Sequence, residues 1–177
     1  LRDTLLDLTY LPNRLVGEKV VLTLSHAQDL EQIKADKRQL EQVLMNLVVN
    51  ARDAMPGGRE IRVVTQNVTY LEQLERDRAI VSPGDYVLVK VTDEGHGIPP
   101  ERLPKIFEPF YTTKRTGEGT GLGLSTAYGI VKQTVGSFLP KVKLIVAPSF
   151  HCFFPLLKSL WRPPRNLHWL YPSRLLA

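Results

Sequence analysis

The stretch "DEGHGIPPERLPKIFEPFYTTKRTGEGTGLGLS" (residues 93–125) holds six of the chain's 12 glycines. Four of them recur at every second residue from Gly117 to Gly123. Glycine allows positive φ and a close approach of the backbone to a ligand, and successive N–H groups at a helix start bind anions. The spacing therefore predicts a phosphate-binding loop that opens a helix.

Glycine spacing alone does not establish this prediction, since alternate glycines also occur in plain mobile loops. The stretch does not match the P-loop pattern G-x-x-x-x-G-K-[ST], and no βαβ unit follows a Rossmann G-x-G-x-x-G pattern. The H-R-D and D-F-G motifs of protein kinases are absent as well. The neighbouring segments must therefore decide what the glycines bind.

An amphipathic helix is predicted before the stretch. Asp36 is its N-cap, with Gln39 three residues later, and the Pro-Gly-Gly run at 56–58 ends it. Apolar residues recur between these ends at helical spacing, which predicts that they face the core. They are Leu40, Val43, Leu44, Leu47, Val48 and Ala51.

One flank of the same helix is polar. Gln42, Asn46 and Asn50 follow one another at i, i+4 and i+8 and share one face, with Asp53 next to them. Asparagine is a poor residue for a helix interior, so two of them on this face indicate a local use. The alternative is ordinary polarity of a helix surface.

The rest of the pattern indicates an α/β domain. Residues 20–24, 59–70 and 85–95 read as strands, and the last two should pair antiparallel. We predict a helix for the charged connector at 71–79 and a second core helix that begins inside the glycines and ends near Gln133. Residues 1–15 read as the end of an earlier helix.

Composition places the chain among soluble domains. Its 177 residues are 43% hydrophobic and 23% charged, which suits one domain with a substantial core. No apolar run is long enough for a membrane span, and the opening "LRDTLLDL" lacks the features of a signal peptide. The single cysteine, Cys152, cannot form an internal disulfide, so we expect the reducing cytosol.

The residues after Gln133 differ from the rest. Residues 134–177 carry six Lys or Arg and no acid, and they hold both tryptophans and four of the six phenylalanines. These six basic residues therefore account for the positive net charge of +5. A basic aromatic patch for membrane or nucleic acid is one interpretation, but the scattered prolines argue against it, and we expect no nucleic-acid partner.

Four segments occur in a fixed order: NLVVNARDAM (46–55), DEGHGIP (93–99), FEPFYTTK (107–114) and GEGTGLGLS (117–125). The series resembles the N, G1, F and G2 boxes of the catalytic and ATP-binding domain of bacterial sensor histidine kinases, in the GHKL/HATPase superfamily. Together with LVGEKV at 15–20, these segments look most like the hybrid kinases of the CckA cell-cycle type.

The resemblance implies a fold class and a set of cofactors. The fold would be α/β, an α+β two-layer sandwich of the Bergerat type that gyrase, Hsp90 and MutL ATPases share. Its sheet would be mixed and mainly antiparallel, with a mobile ATP lid from about Gly95 to Thr120. The cofactors would be ATP and Mg²⁺, bound between the helices.

The resemblance also assigns roles to individual residues. Asn50 would be the Mg²⁺ ligand with Asn46 beside the phosphates, and Asp93 would accept a hydrogen bond from the adenine amine. Lys114 would reach the phosphates as a point charge, unless it is a solvated lysine of the lid. Asn46, Asn50 and Lys114 are thus the predicted catalytic residues. The predicted cofactor-binding residues are Asn50, Asp53, Asp93, Gly95, Gly97, Ile98, Phe110, Thr113, Lys114, Gly119, Thr120, Gly121, Leu122, Gly123 and Leu124.

The implied reaction is transfer of the γ-phosphoryl group of ATP to a histidine. Related ATPases carry a water-activating Glu where this chain has Asn46, so hydrolysis should be weak, whereas a kinase needs positioning and charge neutralisation. The acceptor motif S-H-E-x-R-x-P is missing, since "SHAQDL" at 25–30 shares only two letters and His26 follows a predicted strand. Two alternatives stay open: a remnant that binds nucleotide or a regulator without turnover, and a GHKL-type ATPase.

The partners follow from the resemblance. They would be a separate histidine-bearing dimerisation domain and then a response regulator receiver or a histidine phosphotransfer protein. The parent kinase would be a homodimer anchored at the inner membrane, with this domain in the cytosol.

The predicted domain organisation has three parts. Residues 1–15 form a linker, residues 16–133 the kinase domain and residues 134–177 a divergent tail. The tail replaces the family's expected ending, and we hypothesise a shifted reading frame from near Thr134. In that case, the last strand pairing would be absent or imperfect and a sheet edge would be exposed.

Overall fold

The computed structural model describes residues 17, 19–33, 35–76, 79–115, 119–133, 137–143 and 147–156. The described part contains two α-helices, a short 3₁₀ helix and seven strands. The helices are α1 (Lys37–Asp53) and α2 (Gly123–Gln133), and the 3₁₀ helix is Pro100–Arg102. The strands are β1 (Val21–His26), β2 (Glu60–Tyr70), β3 (Leu74–Arg76), β4 (Ala79–Val81), β5 (Gly84–Asp93), β6 (Ser137–Lys143) and β7 (Ala147–Pro155).

The main sheet has five strands in the order β1-β2-β5-β7-β6. β1 pairs with β2 in parallel, and the other three pairings are antiparallel. The β2–β5 register runs from Ile61 opposite Asp93 to Tyr70 opposite Gly84. The prediction of a mixed, mainly antiparallel sheet in an α/β fold is therefore confirmed, and so is the antiparallel pairing of the two long strands.

Helix α1 follows its sequence pattern closely. The Asp36 side chain accepts a hydrogen bond from the Gln39 backbone N–H at 3.0 Å, as expected of an N-cap. All six apolar positions predicted for the core are buried. They pack with α2 residues Ala127 and Val131 against strand residues such as Ile61 and Val91, which gives one layer of helices on one layer of sheet.

The connector after β2 was predicted to be helical, and this prediction is wrong. Residues 74–76 and 79–81 pair instead as the antiparallel strands β3 and β4. Val81 is fully buried against Leu88, and Val68, Tyr70 and Tyr86 complete this second cluster. Burial of one β-branched residue outside the main core thus overrides the charged, helix-like composition of the connector.

The tail contributes two strands to the main sheet. β7 pairs with β5 from Tyr86 opposite Pro155 to Thr92 opposite Ser149, so the expected absent or imperfect last pairing is not observed. The physical reason is the alternation of Phe150, Cys152 and Phe154, which are buried in the main core. The domain boundary between residues 133 and 134 stays a prediction.

The helix predicted for residues 1–15 lies outside the described residues. His26 is exposed and is the last residue of β1, which extends past the end predicted at Leu24. Among the described residues, neither helix has the length and apolar character needed to cross a membrane.

Candidate active site

A cavity of about 660 Å³ lies between α1, the start of α2, the end of β5 and the segment that follows β5. This volume is within the usual range for small-molecule and cofactor sites. Its walls contain predicted site residues from every one of the four sequence segments. These residues are Asn46, Asn50, Asp53, Asp93, Gly97, Ile98, Thr113, Lys114, Gly119, Thr120, Gly121, Gly123 and Leu124.

Three predicted binding residues do not line the cavity. Phe110 is 75% exposed and Leu122 is 38% exposed, and neither belongs to the cavity wall. Gly95 is not a wall residue either, and a Cβ at this position would be 2.6 Å from the Cβ of Ala54. Gly95 thus allows β5 and the end of α1 to approach closely, and ligand contact by these three residues stays a prediction.

The two carboxamides of α1 face the first residue of α2. A Cβ at Gly123 would lie 3.6 Å from Asn46 Oδ1 and 3.5 Å from Asn50 Nδ2. The missing side chain therefore leaves open the space in front of both carboxamides. Because the first N–H groups of a helix have no acceptor within the helix, the same space also receives the free donors at the start of α2.

Asp93 ends β5 and is only 2% exposed. Burial raises the pKa of its carboxyl group to about 6, although a backbone hydrogen bond and the charge of His96 act in the opposite direction. That hydrogen bond comes from the Gly95 N–H to Oδ1 at 2.8 Å. A buried acceptor at a cavity wall is suited to one directed hydrogen bond with a ligand.

Charged side chains cluster at the last turn of α1. Lys114 Nζ forms an ion pair with Asp53 Oδ2, and Arg52 donates to Asp53 Oδ1 from Nε at 2.8 Å and Nη2 at 2.6 Å. Burial alone would raise the pKa of Asp53, but the hydrogen bonds from Lys114 and Arg52 outweigh it and lower the pKa. The Asp53 carboxylate is therefore ionised and bonded on both oxygens.

The two halves of the segment between β5 and α2 meet at Gly121. Its φ is +66°, and a Cβ there would lie 2.6 Å from the carbonyl oxygen of Phe110. Phe110 itself has a φ of 67°, which is unusual for a residue with a side chain. A glycine is therefore required where the loop turns into α2.

Several wall residues were missed by the sequence analysis. Arg52, His96, Arg102 and Phe150 also line the cavity. Phe150 comes from β7, whose tail sequence gave no indication of a site. His96 is exposed, and its Nδ1 lies 2.8 Å from the Gly97 carbonyl oxygen.

The donor set limits how a metal ion could bind. No group of three or more His, Cys, Asp or Glu side chains capable of holding a metal is found among the described residues. Beside the start of α2, Asn46 presents Oδ1 and Asn50 presents Nδ2 toward Gly123, and a flip of the Asn50 amide would present its oxygen there. Such a set suits Mg²⁺, which usually takes one or two protein oxygens together with phosphates and water.

Comparison with known proteins agrees with this geometry. Residues 35–154 match the family described as "Histidine kinase-, DNA gyrase B-, and HSP90-like ATPase". The chain is 46% identical over 157 residues to the sensor kinase CckA of Brucella abortus, covering 89% of this chain and 17% of that protein. It is 33% identical over 140 residues to sporulation kinase E of Bacillus subtilis, covering 79% of this chain and 17% of that protein.

Solved structures show the same fold. The catalytic domain of histidine kinase ThkA superposes with a TM-score of 0.63 at 26% identity, covering 88% of this chain and 89% of that one. Full-length ShkA gives 0.65 at 23% identity, covering 87% of this chain and 30% of that one. The chain thus spans about a sixth of the length of the curated kinases it matches. From the family match over most of its length and the conserved architecture of helices on sheet, this chain belongs to the histidine kinase-, DNA gyrase B- and HSP90-like ATPase family.

Proposed function

We propose that this chain is the ATP-binding catalytic module of a two-component sensor histidine kinase. It would transfer the γ-phosphoryl group of ATP to a histidine on a separate dimerisation domain. The observation that carries this proposal is the cavity, which brings one buried carboxyl group, two carboxamides and the start of a helix to one space. The similarity to named sensor kinases supports it.

The adenine base is proposed to bind at the Asp93 end. Asp93 Oδ1 already accepts a hydrogen bond from the Gly95 N–H, which leaves Oδ2 to accept one from the exocyclic amine. Gly97 and Ile98 follow on the same wall and offer backbone and apolar contact to the flat base. Guanine has a carbonyl group in place of that amine, so the carboxylate would repel it.

The phosphates are proposed to bind at the other end of the cavity. The N–H groups at the start of α2 attract anions through hydrogen bonding and the helix dipole. Asn50 would hold Mg²⁺ through its side-chain oxygen, with Asn46 beside it, and the ion would enter with the nucleotide. Mg²⁺ supplies neutralisation of phosphate charge, and Lys114 supplies a further positive charge on the same wall.

The chemistry favours a kinase over an ATPase. A carboxamide at Asn46 cannot take a proton from water, so this position provides no general base. Phosphoryl transfer needs alignment and charge neutralisation, which the cavity residues can give to an acceptor that brings its own nucleophile. The acceptor histidine would belong to a dimerisation domain of a homodimeric parent kinase in the cytosol, anchored at the inner membrane. A receiver domain or a phosphotransfer protein would be the next recipient.

Calorimetric titration with ATP, with and without Mg²⁺, tests the proposed site. Binding of Mg-ATP should be saturable. Asn50→Ala should remove most of the Mg²⁺ dependence and weaken Mg-ATP binding about tenfold or more, since a contact with a charged group is worth about 1.5 to 3 kcal/mol. Gln42→Ala is the matched control, because Gln42 is exposed two turns earlier on the same flank and outside the cavity.

The activity needs a second assay. The full chain is mixed with a histidine-bearing dimerisation hairpin and radiolabelled ATP, and acid-labile phosphate on the hairpin is the expected product. Steady release of phosphate without the hairpin would favour the ATPase alternative. Tight ATP binding with neither product would favour the non-catalytic remnant.

A further inference from the structure

One ion pair joins the segment before the glycine loop to the last turn of α1. Lys114 and Asp53 are 61 residues apart, and Lys114 Nζ bonds to Asp53 Oδ2. Arg52 occupies the other oxygen, Oδ1, through two of its nitrogens. One carboxylate thus holds two cations, and both cations also line the cavity.

The lysine is fixed at the phosphate side of the cavity. Its aliphatic stem crosses Gly119, where a Cβ would lie 2.8 Å from Lys114 Cδ and 3.3 Å from Lys114 Cβ. Gly119 begins the run that continues through Gly121 to the start of α2. The ammonium group is therefore held between α1 and the backbone donors that would receive the phosphates.

The carboxylate is unsuited to direct contact with a nucleotide. Phosphate oxygens and an ionised Asp53 repel each other, and both Asp53 oxygens already accept hydrogen bonds. The pair with Lys114 is partly open to solvent, since the side chains are 31% and 23% exposed. Ion pairs of this kind are weak, so a more highly charged anion can displace the carboxylate at small cost.

We propose that Asp53 is a positioning residue that holds Lys114 in place, and that Lys114 exchanges this carboxylate for a nucleotide phosphate when ATP binds. This inference rests on the proposed ATP site and assigns Asp53 a role through Lys114 instead of a direct contact. Arg52 stays on Oδ1 during the exchange and keeps the carboxylate neutralised. The ligand-free protein thereby keeps the Lys114 ammonium group paired at this end of the cavity.

The exchange makes Asp53 a competitor of the phosphates. Asp53→Asn removes the competing charge but keeps the shape of the side chain. Mg-ATP should therefore bind about threefold to fivefold more tightly to Asp53→Asn than to the natural chain, the range expected for a partly exposed ion pair. A purely structural role of Asp53 predicts the opposite, because loss of the contact would loosen the cavity and weaken binding.

The test is calorimetric titration of the full chain with Mg-ATP and, separately, with adenosine. Adenosine lacks phosphates, so its affinity should be the same for the natural chain and for Asp53→Asn. Combining Asp53→Asn with Lys114→Gln should abolish the gain in ATP affinity, since no ammonium group remains to be released. Glu60→Gln is the matched control, because it removes the same charge from an exposed ion pair with Arg62 outside the cavity.

The outcomes separate this inference from the function on which it rests. Unchanged or weaker ATP binding by Asp53→Asn, in a chain that still binds ATP, overturns the exchange and leaves the ATP site intact. Absence of ATP binding by the folded natural chain overturns both. If Asp53→Asn does not fold, the variant Lys114→Gln is measured alone. The exchange requires Lys114→Gln to lower the affinity for ATP relative to the affinity for adenosine. An unchanged ratio of the two affinities overturns the exchange.

Discussion

At the residue Asp93, burial favours the protonated carboxyl group, whereas binding of the proposed ligand favours the ionised one. The carboxyl group lies at the end of β5, where the core of the sheet meets the cavity, and burial raises its pKa to about 6. The ordinary value is 3.8, so the folded chain binds a proton here more tightly than the unfolded chain does. Ionisation of Asp93 near neutral pH therefore costs stability, and a ligand that donates a hydrogen bond to the carboxylate recovers it.

The sign of this effect can be measured in the chain without nucleotide. The contribution of Asp93 to the free energy of unfolding is full below about pH 4 and is lost as the pH rises through about 6. The largest expected loss is about 2 to 3 kcal/mol, from 1.36 kcal/mol per pKa unit. Asp93→Asn should lack this fall, and urea unfolding of both chains between pH 4.5 and 7.5 measures the difference.

Subtracting the two stability curves cancels the titrating groups that do not interact with Asp93. Parallel curves for the two chains would contradict the raised pKa of Asp93. ATP affinity should show the reverse trend in the natural chain and rise as the pH passes through about 6, because the amine needs the ionised acceptor. Asp93→Asn should bind ATP weakly at every pH, since with Oδ1 kept by the Gly95 N–H its amide N–H would face the amine.

Single residues differ in how far the sequence predicts them. Asn46, Asn50 and Asp93 stand in short segments whose order and spacing are informative, and all three line the cavity. Neither the Lys114–Asp53 ion pair nor the wall position of Phe150 could be predicted, because each depends on a contact between segments far apart in the chain. Sequence spacing reports neighbours along an element and gives no distance across the fold.

At the scale of elements, the start of α2 combines a backbone constraint with the site. Gly121 needs a positive φ and lies against the backbone of Phe110, whereas Gly129 lies within the helix with open space around it. Replacement by alanine should therefore have opposite effects on stability at the two glycines. The loop conformation that presents the first N–H groups of α2 depends on the first glycine and not on the second.

Gly121→Ala should lower the free energy of unfolding by about 2 kcal/mol or more, because a side chain is strained at positive φ and meets the Phe110 carbonyl. It should also weaken ATP binding through the displaced loop. Gly129→Ala should raise the free energy of unfolding by up to about 1 kcal/mol, since alanine is favoured inside a helix. Thermal and urea unfolding of both variants measure this contrast. Equal effects at the two glycines would contradict the geometry of the loop.

Elements with a strong period were predictable, and weakly patterned ones were not. All six core positions of α1 follow from the 3.6-residue period, which needs no knowledge of the partner that covers them. The connector that contains β3 and β4 has no such period, and the burial of Val81 against Leu88 decides its conformation. Its composition gives no sign of that one contact.

At the scale of the whole molecule, the sheet extends beyond the predicted domain boundary at residue 133. β7 lies between β5 and β6, and it contributes Phe150, Cys152 and Phe154 to the core that also contains α1. The abrupt change in charge after Gln133 concealed this role, because net charge reports on the surface, whereas the buried alternation holds the strand in place. Phe150 also reaches the cavity, so the tail is connected with the site.

Truncation decides between the predicted boundary and the observed sheet. A chain that ends at Gln133 loses β6 and β7, leaves β5 as an unpaired edge and exposes the core side chains that packed on Phe150 and Phe154. Each buried phenylalanine is worth about 2 to 3 kcal/mol, so two of them approach the whole stability of a small domain. We therefore expect no cooperative unfolding transition and no ATP binding by this chain.

A chain that ends at Leu156 keeps every described element and the whole family match to residue 154. It should therefore retain a cooperative unfolding transition and ATP binding. Circular dichroism melting and ATP titration of the two chains distinguish the possibilities, and a chain of residues 1–133 that folds and binds ATP would restore the boundary predicted from composition.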